Sequence, residues 1–473
     1  MFRKSNRTAA GVGATLAAVS VVQFLVSLDL SIVNVAIPYI ADGLGFHGVT
    51  VTWVVHAYAI TFGGLLLFGG MLADRFGDRR VLILGGAVFA LASLAAGFAS
   101  EPIHLVVARG VQGVGAALMA PAALAALTTA FPGGPARARA FGVWRAMNAA
   151  GGAAGVLVGG LLVEVAGWRW VMFANVPMAL IALAFAWHGI AAAARRDTAR
   201  RPDLLGAVLV TAGAVTLVWA IVGGADALGS VSAAVIAAAL LVGFVLLERR
   251  RGDGAMLRPG VLASRAVGGA NACNLLIGAA MASAFYFLSL TLQRVFGIGP
   301  ALAGLQFLPF ALAVVVGSVL AGRLGRTVSP GALVSAGALV TAVGFAWLGL
   351  VLAPDGTFAA TVLGPSLIAG IGFGMCLGPV VSIATGGAAA HERGVVSGLL
   401  STSRQLGAAV GLAVLGTAAG AVSGAETGDP VRLAAGCAVG FLLCAALLGA
   451  AAVLSALLLR RRTDAPVRAG EGA

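Results

Sequence analysis

A run of membrane-crossing length near the start of the chain, "VVQFLVSLDLSIVNVAIPYI" (Val21–Ile40), carries Gln23, Asp29 and Asn34 and then Pro38. A carboxylate inside such a run costs roughly 2.5–3.5 kcal/mol on insertion scales and marks a functional position. Burial favours the neutral acid, whereas a nearby cation favours the carboxylate. Asp29 can therefore load and release a proton where those two influences alternate; the plainer reading is a structural partner that stays ionised and paired. Candidate partners sit at comparable depth. At 1.5 Å per residue, Asp29 lies about 14 Å below Pro38, and His56 and Arg109 lie about 8–9 Å below the outer ends of their runs. Gln112 falls one turn below Arg109 and can orient it. His56 titrates near neutrality when unperturbed, although a lone histidine is more often a satisfied polar spot.

The remaining polar residues exclude some chemistry. His and acidic side chains form no nucleophile–base or metal-ligand constellation, and no Gly-Lys-Ser/Thr loop offers a phosphate cradle. Cys273, Cys376, Cys437 and Cys444 all fall in apolar runs, with neither disulfide nor zinc spacing. The expectation is a protein that is not an enzyme and has no metal or cofactor.

The elements that position these residues are membrane helices. The 473 residues are 60% hydrophobic and 10% charged, with a mean hydropathy of +1.03, too apolar for water to be the main solvent. Runs of spanning length fall at roughly 12–38, 51–73, 81–99, 103–130, 139–163, 170–193, 203–223, 230–247, 266–292, 301–321, 331–352, 358–384, 394–421 and 433–459. The basic start "MFRKSNR" resembles a signal peptide, but the run after it is too long, so it reads as a retained first helix. The net charge of +13 is a matter of orientation and calls for no nucleic acid. With both termini cytoplasmic, 24 of the 30 basic residues fall on cytoplasmic segments and only Arg169, Arg294 and Arg432 on outer loops.

A repeat is visible in the two halves. "GVWRAMNAAGGAAGVLVGG" from Gly142 aligns with "GLLSTSRQLGAAVGLAVLG" from Gly398, so Gly151, Gly155 and Gly160 match Gly407, Gly411 and Gly416. "QGVG" (Gln112–Gly115) matches "AGIG" (Ala369–Gly372), and "LADRFG" (Leu72–Gly77) matches "LAGRLG" (Leu320–Gly325). The charged connections "RRDTARRPD" and "ERRRGDGAMLRPGVLASR" flank one extra hairpin. The expected division is an N-terminal six-helix bundle (1–200), an inserted two-helix hairpin (201–250) and a C-terminal six-helix bundle with a basic tail (251–473). Two parallel repeats imply a pseudo-two-fold axis along the membrane normal and a substrate site between the halves. Arg145, Asn148, Asn274 and Arg404 are candidates to line that cavity, with Arg404 at the repeat equivalent of Asn148. Few acids and several buried arginines disfavour dicationic substrates and fit neutral or anionic amphiphiles. Phenylalanines with Met147, Met281 and Met375 can add adaptable apolar contact.

Several stretches together resemble the major facilitator superfamily, in its fourteen-helix drug:proton antiporter branch. They are "LDLSIVNVAIP" (Leu28–Pro38), "GMLADRFGDRRVL" (Gly70–Leu82), "RGVQGVGAA" (Arg109–Ala117), "WRWVMFANVP" (Trp168–Pro177) and "LTLQRVFGIGPALAGLQFLP" (Leu290–Pro309). The resemblance implies proton transfer at Arg109 and a conformational-switch loop built on Asp74, Arg75, Gly77 and Arg79. In the branch's fifth-helix motif this chain has Val156 in place of proline, while the small-residue ladder Gly151, Gly155, Gly159 and its neighbour Gly160 survive. The implied activity is proton-coupled export of small amphiphilic compounds by a monomer in a bacterial cytoplasmic membrane, with uptake or facilitated diffusion of another solute as the alternative. Its partners are the transported small molecule, protons and lipid. The charge asymmetry makes one prediction. Green fluorescent protein fused after Ala473 fluoresces and alkaline phosphatase fused there is inactive, the reverse pattern marking an outward C-terminus.

Overall fold

The computed structural model describes residues 9–191, 203–223, 227–251, 260, 263–388, 393–424 and 429–459. The basic segment 1–7, most of both charged connections and the basic tail lie outside them. Fourteen helices among the described residues are long and apolar enough to span a bilayer: α1 (Gly11–Leu44), α2 (Gly48–Phe76), α3 (Asp78–Gly97), α4 (Pro102–Ala130), α5 (Gly134–Ala166), α6 (Arg169–Gly189), α7 (Leu204–Val222), α8 (Leu228–Arg251), α9 (Arg265–Val295), α10 (Pro300–Leu324), α11 (Pro330–Val351), α12 (Phe358–Gly386), α13 (Gly394–Ser423) and α14 (Pro430–Leu458). No strand occurs among the described residues. An even number of crossings puts the start of α1 and the end of α14 on one face, called basal below; the other face is distal.

Sequence periodicity ends the first helix at Pro38, but α1 continues to Leu44. Proline removes the N–H that would bond to the carbonyl four residues earlier, here that of Asn34. Ser289 of α9 supplies the missing donor, its Oγ lying 2.8 Å from the Asn34 carbonyl. The helix passes through its proline because another helix satisfies the orphaned acceptor, as lipid-embedded backbone requires.

The sequence repeat is a packing repeat. Gly151 and Gly155 of α5 lie against the Phe24 and Leu28 carbonyls of α1, where an added Cβ would collide; Gly407 and Gly411 of α13 lie in the same way against Leu275 and Ala279 of α9. Gly85 and Gly115 bring α3 onto α4, and Gly337 and Gly372 bring α11 onto α12. Small residues allow such backbone approach where apolar burial gives no net drive, because lipid is as apolar as leucine. The hairpin α7–α8 docks on the seam between halves, with Ala214 and Val218 of α7 in one cluster with Ala59 and Ile60 of α2 and Ala409 and Ala413 of α13. At its basal end the buried Asp203 caps α7 through the Gly206 N–H at 2.8 Å and pairs with Arg251. Burial pushes the Asp203 carboxyl up, but the Gly206, Arg251 and Glu248 contacts outweigh it and hold it below the usual carboxylate range. This cap therefore stabilises above that range and weakens as pH falls through the lowered value.

The two halves meet mainly at the distal end. Besides Ser289, Gln293 donates to the Val35 carbonyl at 3.1 Å, Arg294 to the Pro38 carbonyl at 2.9 Å and to Asp42 at 2.5 Å, and the Ala301 N–H to Glu164 at 3.0 Å. Gly160 of α5 abuts Pro300, and Gly304 of α10 abuts the Val156 carbonyl. Near the middle, Thr402 donates to the Gly63 carbonyl at 2.9 Å. Basal to that point no hydrogen bond joins the two bundles among the described residues. The basal part of α5 packs Ala140, Phe141 and Trp144 on the N-terminal core along one face and is exposed on its other faces from Arg137 to Ala150, whereas Gly151, Gly155, Val156, Gly159 and Gly160 are buried. A helix with one packed face and the rest of its circumference bare faces lipid on one side and an open cavity on the other, so the cavity opens at the basal face.

The packing makes a contrast between two glycines of α5. Gly151→Val drives a branched side chain into the Phe24 backbone, whereas Gly142→Val meets nothing within 4 Å. Overpacking of this kind costs about 1–3 kcal/mol. Thermal unfolding in detergent shows a lowered Tm for Gly151→Val and no change for Gly142→Val.

Candidate functional site

The Asp29 carboxylate meets a cation. Arg109 Nη1 donates to both its oxygens, at 2.8 and 2.9 Å, and to Gln112 Oε1 at 2.9 Å, while Arg109 Nε donates to the Val54 carbonyl at 3.0 Å. Asn175 Nδ2 donates to Asp29 Oδ1 at 2.7 Å. Gln112 Nε2 passes the chain to Ser93 Oγ at 2.6 Å, and Ser93 donates to the Phe89 carbonyl at 2.7 Å. The Tyr58 ring lies under the guanidinium, 4.5 Å from its carbon. Asp29, Gln112, Asn175 and Ser93 are 0% exposed and Arg109 1%, so the network is sealed from the cavity.

Local sequence explains the assembly. Arg109 and Gln112 share a face of α4 because they are three residues apart. Gly113, one residue on, lets α4 lie directly on the α2 backbone at Tyr58 and Phe62. α6 is broken after Phe173 and restarts at Asn175. Pro177 removes the N–H that would have bonded to the Phe173 carbonyl, and the break aims Asn175 inward at Asp29. Sequence reasoning singled out Asp29, Arg109 and Gln112 but missed Asn175, Ser93 and Tyr58. Asn175 had a signal, a polar residue beside a proline within the apolar stretch "WRWVMFANVP"; Ser93 and Tyr58 had none.

His56 is buried but does not join this network. It lies two turns from Gly63 on the α2 surface that faces Gln405 and Thr402 of α13, with its ring edge-on to Trp53 at 5.8 Å. Its ring nitrogens have no hydrogen-bond partner among the described residues. Depth along a helix was matched; direction around it was not.

The other positions separate by role. Gly77, at φ +94°, turns α2 into α3, the left-handed conformation that glycine adopts without strain. Beside it Arg75 lies over the Phe76 ring at 5.8 Å and Arg79 over the Trp187 ring of α6 at 4.5 Å, while Asp74 is exposed on the last turn of α2. This basal turn is thereby tied to α6 within one bundle. Gly151, Gly155 and Gly159 pack on α1, and Gly160 turns to α10. Asn148 accepts from Gln23 at 2.6 Å and Ser27 at 2.5 Å on α1, so it does not face Arg404 in a matched pair. Asn274 donates to the Leu400 carbonyl at 2.6 Å and serves to tie α9 to α13. Arg145 and Arg404 are exposed within the bundle. The four cysteines are buried and free, and no group of His, Cys, Asp and Glu able to hold a metal occurs among the described residues.

Two equivalent helical bundles around a basal cavity, with one sealed ion pair beside it, form the frame of a membrane transporter. The chain belongs to the Major Facilitator Superfamily, whose family model matches residues 19–412. It is 40% identical to a cephamycin export protein of Amycolatopsis lactamdurans over 96% of this chain and 94% of that one. It is 37% identical to a puromycin resistance protein of Streptomyces alboniger over 95% and 91%. The fold is shared with an auto-inhibited POT family peptide transporter at a TM-score of 0.70 and 18% identity, covering 97% of this chain and 98% of that one.

The sealed pair makes a stability prediction. Removing one member strands the other as an uncompensated buried charge, which costs about 3–5 kcal/mol. Thermal unfolding of purified protein gives a larger loss for Arg109→Gln alone than for Arg109→Gln combined with Asp29→Asn. Additive losses in the double variant would mean that the pair is not coupled.

Proposed function

We propose that this protein exports small amphiphilic, drug-like compounds across a bacterial cytoplasmic membrane in exchange for protons, with its basal face cytoplasmic. The observation that carries the reading is the Asp29–Arg109 pair, the site of the one carboxylate set deep within a span among the described residues. The drug-export part draws on the relatives, an exporter of cephamycin and a puromycin resistance protein among them.

A carboxylate in a low-dielectric interior is ionised beside a guanidinium and neutral without one. In the basal-open state Arg109, Asn175 and Gln112 hold the ionised form, and substrate enters from the basal cavity. Rocking of the bundles parts the distal bonds of Ser289, Gln293 and Arg294, which frees α1 to shift within its own bundle and separate Asp29 from Arg109. Asp29 then takes a proton from outside as substrate leaves. Return to the basal-open state restores the pair and ejects the proton to the cytoplasm. The turn at Asp74–Arg79 anchors the N-terminal bundle as it moves, through Arg79 on Trp187. Facilitated diffusion or uptake of another solute on the same scaffold is the second reading. It is favoured by α5, which runs unbroken from Gly134 to Ala166 with Val156 where the antiporter motif has proline.

The test is transport in everted vesicles with an imposed pH gradient, using a cephamycin as probe. Wild-type protein accumulates the probe and an uncoupler abolishes this. Asp29→Asn, with an unchanged size-exclusion profile, reduces gradient-driven accumulation to background while retaining equilibration down a substrate gradient. Full gradient-driven accumulation by Asp29→Asn removes this residue from coupling, and uncoupler-insensitive transport selects the second reading.

A further inference from the structure

Two guanidinium groups stand on the cavity wall with nothing among the described residues to neutralise them. On α5, Gly151 and Gly155 mark the side that meets α1, and Val156 and Gly160 the side that meets α10. At 3.6 residues per turn Arg145 falls between those sides, where α5 faces the gap between the bundles. On α13, Gly407 and Gly411 mark the side toward α9, and Thr402 and Gln405 the side toward α2. Arg404 lies at the edge of the α9 side, where Gly278 of α9 packs on its backbone and Cγ, and it remains exposed to the same gap from the other bundle. Both are exposed, and among the described residues neither makes an ion pair or a side-chain hydrogen bond. The carboxylate nearest in depth, that of Asp29, is sealed and already paired.

An uncompensated cation inside a spanning region is as costly as an acid and calls for a counter-charge. Apolar surface lies further in. Phe285 of α9 stacks on Phe307 at 5.8 Å and meets Phe310 edge-on at 5.4 Å, and Phe310 stacks on Phe373 at 6.5 Å. The rings of Phe285 and Phe373 are only partly buried. Arg145 and Arg404 stand about 15 Å in from the basal ends of their helices, and Phe285 and Phe310 about 15 Å in from the distal ends. Cationic and aromatic surfaces are thus stacked along the transport axis.

We propose that the substrate is an amphiphilic organic monoanion, its carboxylate or equivalent acidic group held by Arg145 and Arg404 and its apolar body by the Phe285–Phe310–Phe373 cluster. The proposal rests on the export reading above and names the substrate class for that site. Arginine's planar fork matches a carboxylate in a way that an amide or an ammonium cannot. Asn148 and Gln23, already joined to each other at 2.6 Å on the neighbouring wall, add neutral polar contact and no charge.

The test uses the full chain in proteoliposomes with an imposed pH gradient. Three radiolabelled probes share a biphenyl body and differ in head group: carboxylate, carboxamide and primary ammonium. Wild-type protein accumulates the carboxylate, with a KM about a hundredfold below that of the carboxamide, and excludes the ammonium, each tenfold corresponding to one charge-assisted contact. Arg145→Gln and Arg404→Gln each raise the carboxylate KM about tenfold and leave the carboxamide KM unchanged, which shows that the variants are folded. Arg404→Glu admits the ammonium. Equal transport of ammonium and carboxylate, transport of none of the three, or a carboxylate KM unchanged in both glutamine variants overturns the proposal. Failure of the export reading has its own signature: accumulation of the carboxylate that ignores the pH gradient while keeping the head-group preference.

Discussion

Everything in the N-terminal bundle is arranged around one charge that lipid does not tolerate alone. The Asp29 carboxyl sits in a dry interior with Arg109 and Asn175 donating to it, and Gln112 accepts from Arg109 and holds the guanidinium in place. Satisfying it fixes the rotation of α1 against α4, the break in α6 and the position of α3 through Ser93. Buried pairs of this kind add little to stability compared with apolar packing, but breaking one is costly.

The architecture around the pair was largely legible before any coordinates. Hydropathy marks every crossing, because only helices of spanning length satisfy their backbone in lipid. The repeat was legible too, since its matching glycines prove to be the places where helices touch backbone to backbone. The end of α1 was misread at Pro38. A proline ends a helix when its orphaned carbonyl has no partner, and the partner here, Ser289, comes from the other bundle and leaves no local trace.

The site was legible in part. Asp29, Arg109 and Gln112 announce themselves as polar groups in apolar runs at matching depth. Depth is one coordinate and rotation is the other, and His56 shows the difference: its level suits the pair, but its direction puts it at the α2–α13 seam. Arg145 and Asn148 differ in the same way, since three residues along α5 one points to the gap and the other to α1. Asn175 depends on a helix break, and Tyr58 on the close fit that Gly113 allows between α2 and α4. Such tertiary relations have no period in the sequence.

The distal closure has a consequence for how such a protein diversifies. Apart from the Asp42 carboxylate, its acceptors on α1 are the main-chain carbonyls of Asn34, Val35 and Pro38, and the donors to them are side chains of α9. Main-chain acceptors persist through almost any replacement on α1. Mutations that retune what the cavity recognises can accumulate on that helix without loosening the distal closure, so ligand range and leak-tightness are separately heritable traits.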